Sequence, residues 1–163
     1  MATTMKRTED DVFRKNLVVS LDGRDAHLTF EATMTNFPPE YYNKRLGHIE
    51  YSCWELLEHM RIAQSDILDF IKNAEYKERE WPAGYWPEEP ANQEAWENSV
   101  KSFLNDESEI RRMLEDDTTD LYGPIPHAPE YTIFREVLII LNHNSYHTGQ
   151  LLTLRKLLGI WPA

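Results

Sequence analysis

The 163 residues contain one cysteine, Cys53, so no disulfide can form within the chain, and a reducing compartment suits it. Cys53 lies inside an apolar helical pattern with no base beside it, which reads as a small core residue rather than a nucleophile. Long hydrophobic runs are missing too. The first residues, MATTMKRTEDDVFRKN, hold no apolar stretch of signal length, and no segment reaches about 18 uncharged apolar residues. A soluble cytoplasmic protein with no membrane partner is expected. Positive charge is scarce: 17 Lys and Arg face 28 Asp and Glu, a formal net charge of -11. An acidic surface repels a phosphate backbone, and no basic stripe with interleaved aromatics compensates, so nucleic acid is not an expected partner.

What is present is helical periodicity. A chain of this length can form one domain, here 1–163, burying about 70% of its unfolded surface without staples. A first helix is expected over residues 9–20, with Val12, Phe13, Asn16, Leu17 and Ser20 inward, broken by Asp22-Gly23. A short one follows Thr29 as N-cap, Phe30 and Met34 facing in, and stops at Pro38-Pro39. Ser52 and Glu55 form a capping box ahead of a long helix with Leu56, Leu57, Met60, Ala63, Ile67 and Ile71 on one side. On this pattern alone His59 falls at the rim of the apolar stripe, where a histidine reaches water.

Residues 73–92 lose the periodicity and carry Trp81, Tyr85 and Trp86 among prolines. So long a connection is either a functional lid or a cover for the end of the bundle. A helix resumes over residues 93–114, and the acidic run Glu115-Asp116-Asp117 reads as its solvated end. LYGPIPHAPEY then forms a rigid connection containing His127, a loop histidine with no assigned role. No segment alternates as a strand should. Counting apolar faces therefore predicts an all-α four-helix bundle with an extra short N-terminal helix and a long aromatic loop.

The last helix, over residues 133–158, organises the rest. His143 and His147 are one turn apart, so both imidazoles leave the same face, about 6 Å apart at their bases. That spacing suits two ligands to one metal ion, although it also fits two buried histidines that only hydrogen-bond. Glu136, Ile140, Gln150 and Leu154 share their face. The opposite side, Phe134, Leu138, Leu141, Ser145, Gly149 and Leu152, is apolar or small. Either a homodimer forms through it or the helix is central within one chain.

Three blocks, WELLEHMRIAQSDIL, DLYGPIPH and REVLIILNHNSYHTGQLLTLRKLLGIWP, together resemble the DinB-like superfamily, which includes the YfiT-like metal-dependent hydrolases. The resemblance spans nearly the whole chain. It implies an up-down-down-up four-helix bundle holding one divalent metal through His59, His143 and His147, which moves His59 from rim to ligand. Zinc and nickel both suit three imidazoles, and such a site keeps coordination positions open. Glu55 and Gln150 become the leading candidates to orient an imidazole, with Glu136 and Asn144 behind them. Asn142 stands where many relatives carry an acid, which weakens any carboxylate base there. The implied activity is thiol S-transfer to a small electrophile with a low-molecular-weight thiol such as bacillithiol or mycothiol as co-substrate. The alternatives are a metal-dependent hydrolase or a non-catalytic metal-containing stress-response protein.

Overall fold

The structure is a computed structural model that describes residues 2–161, with side chains from Glu9 onward. Its helices are α1 (Ala2–Asp22), α2 (Phe30–Met34), α3 (Cys53–Lys72), α4 (Gln93–Glu115) and α5 (Ile133–Leu157). The four long ones form the bundle, with α3 packed against both α4 and α5 and α1 against α4. Among the described residues no helix is long and apolar enough to cross a membrane.

Local chemistry sets the boundaries. Thr29, Ser52, Asn92 and Thr132 each accept, through the side chain, the backbone N–H three residues on, satisfying a donor that a helix start leaves open. At Ser52 the reciprocal bond from Glu55 completes the box that the sequence predicts. Apolar faces then bury. One cluster joins Phe30, Trp54, Leu57, Met60, Phe103 and Leu151, and a second joins Leu17, Leu21, Leu68, Ile110, Val137 and Ile140. Cys53 is fully buried in the first, and burial pushes its thiol up to about 12, so it is inert packing as expected.

Two expectations need correction. The inner face of α1 is Arg14, Leu17 and Leu21; Val12, Phe13, Asn16 and Ser20 point outward. An arginine took a core position that a count of apolar residues assigns elsewhere. Its guanidinium donates to the carbonyls of Leu114 (3.2 Å), Asp116 (2.9 Å) and Thr119 (2.6 Å), closing the C-terminal end of α4. The second correction is a small antiparallel hairpin, β1 (Pro124–Ile125) with β2 (Ala128–Thr132), where no strand is expected. Prolines 124, 126 and 129 and the brevity of both strands hide any alternation. Ile125 and Ala128 pack on Ile71, and His127 Nε2 lies 2.7 Å from the Phe70 carbonyl, donating to an orphan acceptor in the last turn of α3.

The second apolar side of α5 meets its own chain in part. Phe134 and Leu141 pack into the cluster around Leu17 and Leu21, and Ser145 Oγ lies 3.1 Å from His27 Nε2.

Candidate metal centre

The second turn of α3 and the middle of α5 bring three imidazoles to one point. His59 is buried and His143 and His147 are half-buried. His59 Nε2 and His143 Nε2 are 3.1 Å apart, and one nitrogen from each of the three rings lies within 4.8 Å of the others. An ion about 2.1 Å from each nitrogen of a tetrahedral set needs them about 3.4 Å apart. The first pair already meets that, and the remaining gap is of the size side-chain torsions cover.

For two of the three rings the far side explains why these nitrogens are available. His59 Nδ1 is 3.0 Å from the Tyr85 carbonyl oxygen, which can only accept, so the proton sits on Nδ1 and the lone pair on Nε2. His147 Nδ1 is 2.6 Å from Gln150 Oε1 and is protonated for the same reason. Burial lowers the basicity of all three, and in His143 burial and the neighbouring His147 and His59 push the pKa down to about 4. Three imidazoles of lowered basicity, two of them with the lone pair set by an acceptor on the far side, converge on one volume, and this donor set fits a divalent transition metal.

Two amides hold the helices at this spacing. Gln64, buried on α3, donates to the Phe103 carbonyl of α4 (2.8 Å) and accepts from Asn144 Nδ2 of α5 (2.7 Å), the residue after His143. Asn144 Oδ1 is buried with no hydrogen-bond partner. Of the amides expected near the rings, Gln150 accepts from His147 Nδ1 and Asn144 links the helix pair.

Glu55 is engaged elsewhere. Its carboxylate accepts from the Ser52 N–H (2.7 Å) and Oγ (2.8 Å) and from Arg45, so the capping box consumes it. The partner of His59 is instead a backbone carbonyl, an atom with no signature in sequence. Glu136 is buried but paired with Arg135. Glu58, beside His59 in the chain, is held by Arg61 and Ser99. Asn142 donates to the Leu138 carbonyl of its own helix. None of the hydrogen bonds to the three rings comes from a carboxylate.

Residues 73–92 form one wall. Trp86 stacks flat on His59 with ring centroids 4.3 Å apart and planes 8° apart, and Tyr51 lies behind it. Tyr146 meets His147 edge-on at 4.9 Å. Alongside, a shallow groove of about 230 Å³ is lined by Ile49, Tyr51, Tyr146, Gln150 and Leu154 among others, none of them charged.

A helical bundle carrying a three-histidine cluster between two of its rods is the class defined here. The family model described as the DinB family matches residues 23–163, and the chain belongs to that family. No curated protein and no solved structure matches it.

Proposed function

We propose that this chain is a divalent-metal-dependent enzyme that joins a low-molecular-weight thiol to a small electrophile. The observation that carries the reading is the convergence of His59, His143 and His147, with tautomers at His59 and His147 set by carbonyl acceptors. Zinc or nickel suits such a site. A bound ion would supply Lewis-acid chemistry, lowering the pKa of a thiol or water. The chain's own contribution is to keep the three rings neutral and aimed, to screen one side with Trp86, and to offer an uncharged groove beside His147. Such a groove favours a small uncharged substrate over nucleic acid. The reaction forms a sulfur–carbon bond, the thiol proton passing to solvent and the leaving group departing with its electron pair.

Transfer is favoured over hydrolysis because activating water calls for a general base, and the nearby carboxylates Glu55, Glu58 and Glu136 are each committed to other partners. A low-molecular-weight thiol and a lone buried cysteine both suit the cytoplasm.

Elemental analysis of protein purified without an affinity tag should find close to one equivalent of a transition metal. Incubation with monochlorobimane and a panel of thiols should give conjugation that His147→Ala abolishes. Less than about a tenth of an equivalent of metal in folded protein refutes the metal centre. Metal without thiol-dependent conjugation above the His147→Ala control counts against the transferase and leaves a hydrolase or a non-catalytic metal-containing protein.

A further inference from the structure

Asp66 sits on α3 two turns beyond His59 and is almost fully buried. A buried carboxylate persists only where partners replace its water. Its partners all come from residues 73–92: Tyr85 Oη donates to Oδ2 at 2.7 Å, Tyr76 Oη to the same oxygen at 3.1 Å, and Arg79 Nε lies 3.4 Å from Oδ1. Tyr85 thus makes two contacts that matter. Its phenol reaches Asp66, and its backbone carbonyl accepts from His59 Nδ1 at 3.0 Å. The short 3-10 turn Ala83–Tyr85 fixes how far apart those two groups stand, and Trp86, the next residue, lies against the His59 ring.

We infer that Asp66 and Tyr85 are positioning residues of the metal centre: the Asp66 carboxylate anchors the Tyr85 phenol so that the Tyr85 carbonyl holds His59 with Nε2 turned to the metal. The inference rests on the three-histidine site being a metal site. It assigns the aromatic loop a fixed place in the site rather than the part of a lid. The far end of the loop is tied as well, with Trp54 Nε1 donating to the Glu89 carbonyl at 2.8 Å and Asn43 exchanging two hydrogen bonds with Ala91, both 2.8 Å. Partners that orient a metal-binding histidine typically change affinity about 10–100-fold when removed.

The test is a Co(II) titration of metal-stripped, full-length protein, reading affinity by chelator competition and geometry by the d–d absorption band. Tyr85→Phe keeps the backbone carbonyl but loses the anchor, and Asp66→Asn weakens the anchor itself. Both should bind Co(II) about 10-fold or more weakly with a shifted band, and the double variant should be little worse than either alone. Tyr76→Phe is the control, because Tyr76 bonds the same carboxylate but offers nothing to His59. Its affinity should stay within about twofold of wild type and its band unchanged. Wild-type affinity and band in Tyr85→Phe overturn the inference even if Asp66→Asn fails to fold. A loss in Tyr76→Phe equal to that in Tyr85→Phe overturns it too, reducing the effect to general loosening of the loop. Wild-type protein that takes up no Co(II) sinks the metal site and this inference together, whereas uptake by wild type with unaltered variants sinks this inference alone.

Discussion

Glu107 shows how much a single side chain's surroundings can matter. Burial, and the nearby Asp22 carboxylate, push its pKa from 4.5 up to about 7, with Glu31 adding to the rise and Arg111 and Arg24 opposing it. The native carboxyl therefore binds its proton more tightly than the unfolded one, so it costs stability at pH above about 7 and costs nothing below the unfolded value of 4.5. Glu107→Gln should raise the midpoint of thermal unfolding by about 2–4 °C at pH 8 and leave it unchanged at pH 4.5. His143 has the opposite sign. With its basicity depressed on folding, it contributes stability above the unfolded value of 6.5 that is lost as pH falls towards about 4, and His59 and His147 act in the same direction. Metal-free protein should accordingly show a falling midpoint between those two values in a pH series, and His143→Gln should flatten the fall.

At the scale of elements, helix starts carry measurable energy. Ser52→Ala removes the acceptor for the Glu55 N–H and one donor to its carboxylate, and should cost about 1 kcal/mol in urea unfolding, with an unchanged slope. The starts of α2 and α3 were legible because Thr29 and Ser52 carry a local signature, and α5 because two polar imidazoles interrupt an apolar face at one-turn spacing. What could not be read had a physical reason each time. Arg14 is apolar along its stem, so it lines a core while counting as charged. Two- and five-residue strands are too short for a period. His59 looked like a rim position because its partners come from a segment without periodicity, and Tyr85 contributes a main-chain atom common to every residue type. Glu55 carried two plausible roles, and the nearer one, at the helix start, took it.

For the molecule as a whole, the outer side of α5 is the surface left to account for. Phe134 and Leu141 are engaged by the chain itself, while Leu138, Ser145 and Gly149 on the same side remain exposed, with Ile139 beside them. We propose that a second copy covers this strip. Sedimentation should show a dimer at micromolar concentration that Leu138→Asp with Ile139→Asp converts to monomer, and a monomeric wild type would refute it. The Gln64–Asn144 amide pair has a different consequence. One hydrogen bond links the two histidine-bearing rods beside His143, a second from Gln64 reaches the Phe103 carbonyl of α4, and neither needs an ion to form. Cation uptake should then be a loading step on a finished scaffold: far-UV circular dichroism and backbone amide exchange of α3 and α5 should scarcely differ between stripped and replenished protein, unlike small domains whose folding waits for their metal.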